Sequence, residues 1–277
     1  MRITQIFNWK NFLYSIASYG SSILPFLTSL LLAKFYSKDE FGSFAYFLIG
    51  FNISSVLNQY GTDKTLIIDL SHSKNDIKTI TQNIYFKGVL AIVINIAVLV
   101  VNILFYKLRV IELNMLQLGV LSGSIYAISP RQWFDYKKEH LKGALIILYD
   151  RIIYSSLSVF FILMSFSRIS SLLGFSWLLS RVFSLLMELK NIIKWKPSQY
   201  CLSKENLFVL LKSNFFVWLA AIGNIAMTQF NQLILGYKLG LSSLAIYALA
   251  FQIINIVSHL LLLPFYLEKY SAVVRFH

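Results

Sequence analysis

The sequence predicts an all-α protein that crosses a membrane about eight times, and three observations predict it. Of its 277 residues, 57% are hydrophobic and 13% charged, against about 45–50% apolar and ~25% charged in soluble domains. The apolar residues gather into eight stretches near the ~20-residue length that crosses ~30 Å of hydrocarbon. The basic residues fall unevenly among the connections, which is the pattern that orients polytopic proteins.

The first stretch, 12–33, is followed by seven more of its kind, so it is read as a retained helix and not as a cleaved signal. The second, 41–60, follows a short turn; the third covers 86–106. The fourth, 113–130, is rich in small and polar residues, Gly119, Ser122, Gly123 and Ser124. Such a helix is expected to pack among others and not to face lipid. The fifth and sixth, 144–164 and 169–187, each enclose charged residues, and the seventh and eighth cover 213–236 and 241–265. Pro25 and Pro264 fall inside the first and last and are compatible with kinks.

With the N-terminus placed inside, seventeen Lys and Arg lie in the inner connections and termini, and six lie in the outer ones. Arg151 and Arg181 fall within spans and complete the 25. The positive-inside rule then puts both termini in the cytoplasm. The outer connections are all short, so the expected activity lies within the membrane or just beneath it.

Several function classes are excluded. There is no phosphate-binding Gly-x-x-x-x-Gly-Lys loop, no His-Glu-x-x-His, and no clustering of His and carboxylates at metal spacing. No enzyme activity, cofactor or metal is called for. The lone Cys201 can form neither a disulfide framework nor a Cys-based metal site. A net charge of +13 would suggest nucleic acid in a soluble chain. Here the basic stretch Lys190 to Lys212, with Trp195 and Tyr200, reads as a connection lying along anionic head groups. His259, near the inner end of a span, reads as a packing residue. Asp63, Asp69 and Asp76 sit in a charged inner connection and read as solvated.

Sliding the sequence against itself by 203 residues places Asn11-Phe12 on Asn214-Phe215, Gly20 on Gly223, Ala45 on Ala248, and Asn52-Ile53 on Asn255-Ile256. An offset of this kind relates two copies of a helical unit in many transporters. It divides the chain into a six-helix lobe over 1–189, a basic linker over 190–212, and the start of a second lobe over 213–277. A complete second copy would bring such a chain to about 400 residues, so a truncated or split product is expected.

Charges inside spans are expensive unless paired or hydrated. Arg151 and Arg181 lie at one depth, roughly 9–11 Å below the inner surface at ~1.5 Å per residue. Two readings stand. In one, both line a cavity and hold a pyrophosphate, with Asp150 moderating their charge. In the other, Asp150 pairs with Arg181 to let two helices pack, and Arg151 snorkels to the inner head groups. The seventh stretch carries an unusual polar load, Asn214, Asn224, Gln229, Asn231 and Gln232. These groups suit sugar hydroxyls along a hydrated path, or hydrogen bonds between helices. The cavity candidates are Arg151, Arg181, Asp150, Asn224, Gln229 and Asn231.

Four segments resemble one family: Ser37-Lys38-Asp39-Glu40-Phe41-Gly42, Tyr60-Gly61-Thr62, Ser129-Pro130-Arg131-Gln132-Trp133-Phe134 continuing to Glu139, and Asn231-Gln232-Leu233-Ile234-Leu235-Gly236 leading to Ala245-Ile246-Tyr247. They are similar to the polysaccharide and oligosaccharide flippases of bacterial cell-surface biosynthesis, the Wzx-type O-antigen translocators, within the superfamily of multidrug and toxin extruders. The resemblance implies two lobes of six or more helices around a central cavity. It also implies alternating access and transport of an undecaprenyl-pyrophosphate-linked oligosaccharide across the bacterial inner membrane, driven by an ion gradient. Where the family often has an acidic residue, Asn231 stands here. The implied partners are the lipid-linked oligosaccharide, membrane lipids and a polypeptide supplying the rest of the second lobe, with no nucleic acid. Alternatives are a multidrug or lipid exporter, a membrane-embedded polysaccharide polymerase, and a non-functional remnant.

Overall fold

The structure is a computed structural model that describes residues 9–73, 75–105, 113–192 and 204–275, with the side chains at 11, 105, 204–206, 259 and 262–275 outside that description. Cys201, the middle of the basic linker, and the side chains of His259 and Pro264 therefore lie outside the described residues. The helices are α1 (Trp9–Phe35), α2 (Lys38–Gln59), α3 (Thr62–Ser71), α4 (Asp76–Phe105), α5 (Leu113–Ile128), α6 (Gln132–Tyr136), α7 (His140–Leu163), α8 (Ile169–Asn191), α9 (Lys204–Ile225), α10 (Asn231–Leu239) and α11 (Leu241–Arg275). A π-helical turn, Ala226–Phe230, joins α9 to α10.

Among the described residues, seven helical segments are long and apolar enough to cross a membrane. The expected fourth stretch contains α5, in which Gly119, Ser122, Gly123 and Ser124 are all buried against α2, α4 and α8. With no Cβ, Gly119 and Gly123 let α5 meet the backbone of α2. A Cβ on Gly119 would lie 2.1 Å from the Phe47 carbonyl oxygen, and one on Gly123 would lie 2.4 Å from that of Phe51. Small residues at such spacing are how helices approach closely in lipid. Replacing Gly119 by Leu is expected to destabilise the protein by about 1–3 kcal/mol or more. The measurement is thermal unfolding in detergent, with Gly88→Leu, which meets nothing within 4 Å, unchanged beside it.

Polar ties reinforce this packing. Ser54 donates to the Val120 carbonyl at 2.7 Å, Asn58 Nδ2 donates to Ser124 Oγ at 3.0 Å, and Asn95 Nδ2 reaches the same hydroxyl at 2.7 Å. Three helices, α2, α4 and α5, thus converge on one serine.

The inner connection after α2 differs from the expected charged loop. Tyr60 and Gly61 take left-handed conformations, φ 48° and 73°, and turn the chain directly into α3, while α4 begins at Asp76, well before the expected 86. The reason is a second apolar cluster, in which Leu66, Leu70, Ile80, Ile84 and Ile192 pack beside Trp133 and Tyr136. Their four-residue spacings put them on one face of each helix. Asp69 stays exposed, but Asp76 is not a free solvated acid: it accepts from Lys137 Nζ at 2.9 Å and from the Tyr136 hydroxyl at 3.0 Å, tying α4 to α6.

At the opposite end of the bundle the α1–α2 and α10–α11 turns meet. Ser242 donates to Asp39 Oδ1 at 2.7 Å, and these two residues are 203 apart, the offset of the repeat. A Cβ on Gly42 would lie 2.3 Å from the Leu241 carbonyl oxygen, so the two turns pack backbone to backbone. Below them α2 packs along α11, its counterpart under the same offset.

Candidate functional site

Asp150 and Arg151 lie on α7; Arg181 and Glu188 lie two turns apart on α8, which packs against α7. This packing brings all four into one buried charged cluster. Arg181 Nη1 is 2.8 Å from Asp150 Oδ2, and Arg151 Nε is 3.8 Å from the same oxygen. Both the Asp150 and Arg181 side chains are sealed, at 0% and 1% exposure. Aromatic faces from three helices surround them. The Arg181 guanidinium lies 4.8 Å from the Tyr126 ring centre and 5.5 Å from those of Phe51 and Trp177, and Arg151 lies 4.6 Å over Trp177. Such contacts are worth ~2 kcal/mol when desolvated.

A second buried acid continues the cluster. Glu188 accepts from Arg131 Nε at 3.2 Å and from the Ser129 hydroxyl, while Arg131 also lies 4.3 Å over Tyr126. Lys87 is buried nearby. Three arginines and a lysine thus share two carboxylates, and the cluster carries excess positive charge. Arg181 Nε and Nη2 and Arg151 Nε have no hydrogen-bond acceptor among the described residues.

Beside the cluster, a cavity of about 380 Å³ opens between α1, α2, α8, α10 and α11. Its polar lining is Ser22, Ser29, Asn52, Gln232, Gln252 and Asn255, and its aromatic lining is Phe26, Trp177 and Phe251. Among the described residues no charged side chain lines it. Trp177 belongs to both features, with the Arg151 and Arg181 guanidiniums near its ring and the residue itself lining the cavity.

A family model described as polysaccharide biosynthesis protein matches residues 8–266. The chain belongs to the polysaccharide biosynthesis protein family. No curated protein and no solved structure matches it. Membership in this polysaccharide biosynthesis family, together with the seven apolar helices, makes the chain a membrane protein with a transporter-type role.

Of the residues singled out in this polysaccharide biosynthesis protein by sequence, Asp150, Arg151 and Arg181 come together as one group, and that group stands behind Trp177 and not on the cavity surface. Gln229 is buried, with its Oε1 lacking a partner among the described residues. Asn224 and Asn231 are exposed, and Asn231 Nδ2 bonds its own helix at the Met227 carbonyl, 2.8 Å away. Gln229 and Gln232, three residues apart, share the buried face, while Asn224 and Asn231, seven apart, share the exposed one. Asn214 is buried and accepts from Thr65 at 2.6 Å, beside Trp218 stacked on Tyr60 at 4.6 Å. It fastens α9 to the α2–α3 turn.

Sequence reasoning passed over Trp177, Gln252 and the Glu188–Arg131–Ser129 group. It matched Asn52 with Asn255 as a repeat signal without placing either in a site. Among the described residues no cluster of three or more His, Cys, Asp or Glu comes together.

Proposed function

We propose that this chain moves a polyprenyl-pyrophosphate-linked oligosaccharide from the inner to the outer face of the bacterial plasma membrane. The observation that carries this reading is the open cavity between α1–α2 and α10–α11, lined by amides, hydroxyls and aromatic rings and backed by buried arginines. Amides and hydroxyls both donate and accept, which matches sugar hydroxyls. Guanidiniums pair with phosphate oxygens through two donors at once. Family membership supports the same reading.

The basic end of the bundle, with Lys64, Lys137 and Lys138, faces the cytoplasm by the positive-inside rule, and the Asp39–Ser242 end faces outward. In the mechanism, the glycan enters the cavity, the polyprenyl tail stays in lipid, and the pyrophosphate engages Arg151, which at 16% side-chain exposure is the less buried of the two arginines beside Asp150. Asp150 holds Arg181 beside it. The halves then rock about the α2–α11 contact so that access alternates between the two faces.

Expressed in a bacterium deleted for its own repeat-unit flippase, the chain is expected to restore surface polysaccharide. Arg151→Ala, which removes one charge-assisted phosphate contact of ~1.5–3 kcal/mol, is expected to lower export about tenfold or more at equal protein level. Unchanged export by that variant would remove Arg151 from the mechanism. Failure of the well-inserted parent chain would remove the transport reading itself.

A further inference from the structure

The cavity residues are related to one another by the repeat. The offset that pairs Asp39 with Ser242 also pairs Ser29 with Gln232, Ala45 with Ala248, and Asn52 with Asn255, and all six of these line the cavity. Leu48 and Phe251 are paired in the same way and line it too. The cavity therefore straddles the line about which the two halves are arranged, with each half presenting one asparagine to it.

Those amides are uncommitted. The side chains of Asn52, Gln232, Gln252 and Asn255 make no hydrogen bond to another described residue. Polar groups at membrane depth without protein partners are costly unless water or a ligand satisfies them. None of the described lining side chains is charged. The nearest charges, Arg151 and Arg181, are engaged with Asp150 and stand behind the Trp177 indole. A carboxylate or an ammonium in the cavity would lose its hydration and find no direct counter-ion there.

We infer that Asn52 and Asn255 form a two-sided subsite for an uncharged sugar, with the two amides taking hydroxyls from opposite sides and the Trp177, Phe26 and Phe251 rings meeting its C–H faces. This inference rests on the transport reading and adds the class of cargo: repeat units of neutral sugars pass, and units bearing an ionised sugar at this position do not. Arg151 and Arg181 serve the phosphate and leave sugar choice to the amides.

The test uses two hosts, each deleted for its own flippase and each shown to recover when that flippase is returned. One builds a repeat unit of neutral sugars only, and the other builds one containing a hexuronic acid. The chain is expected to restore surface polysaccharide in the first and to give about tenfold less or lower in the second. In the neutral host, Asn52→Ala with Asn255→Ala is expected to reduce export about tenfold or more, as for the loss of one or two hydrogen bonds. Immunoblotting and size-exclusion of the solubilised variant show whether it is folded. Equal export in both hosts overturns the inference and leaves the transport reading standing. Full export by the folded alanine pair also overturns it. No export in either host takes down both.

Discussion

Arg181→Leu is expected to lower stability by about 3–5 kcal/mol, the loss typical of one partner removed from a buried ion pair. Asp150 is 0% exposed and has Arg181 Nη1 at 2.8 Å, while its other cation, Arg151, is 3.8 Å away. Without Arg181 the carboxylate keeps its desolvation cost and loses its nearest compensation. Asp150→Asn has the mirror-image effect, leaving a guanidinium among Tyr126, Phe51 and Trp177 with no close anion. The double replacement Asp150→Leu with Arg181→Leu removes both desolvation costs, so it is expected to be more stable than either single variant. Thermal midpoints in detergent check all three. The double variant also separates the two roles that the sequence left open for these residues. A folded double variant that exports normally makes the pair a device for packing α7 on α8. A folded one that does not export makes Arg181 part of the anion site.

The shared depth of Arg151 and Arg181 was legible in the sequence, because depth in a span follows from counting residues at ~1.5 Å each, while their meeting at Asp150 was one of two open readings. Their burial behind Trp177 was not legible, since it depends on which faces of α2, α5 and α8 meet. The apolar stretches foretold the long helices, yet α3 was hidden. It is ten residues long, and its charged face masked the Leu66–Leu70 face that packs under the bundle. The polar residues of the seventh stretch were read as one load without assigning faces, and the structure buries Gln229 and Gln232 while leaving Asn224 and Asn231 exposed. The Glu188–Arg131 pair spans 57 residues, a separation that no local pattern encodes. Asn52 and Asn255 were visible as a repeat match, and the match carried more than was read from it. Asn52 and Asn255 both line the cavity between α2 and α11.

Bridging the α1–α2 and α10–α11 turns, which face outward in the orientation proposed above, is expected to stop transport. Asp39 and Ser242 are both exposed and joined at 2.7 Å, and the nearby Gly42 has no room for a side chain against Leu241. This end of the bundle is closed in the structure, and alternating access requires it to part. Cysteines at 39 and 242, in a chain whose Cys201 is replaced by serine, can be spanned by a short bis-methanethiosulfonate added from outside. Export in the flippase-deleted host is expected to fall at least about tenfold on bridging, while addition of a one-ended reagent leaves most of it. Dithiothreitol, which cleaves the bridge through thiol exchange, is expected to restore it. Persistence of full export with the bridge in place would mean that the turns stay together throughout the cycle. The moving boundary would then lie elsewhere, and α2 with α11 would form a fixed post about which the other helices rearrange.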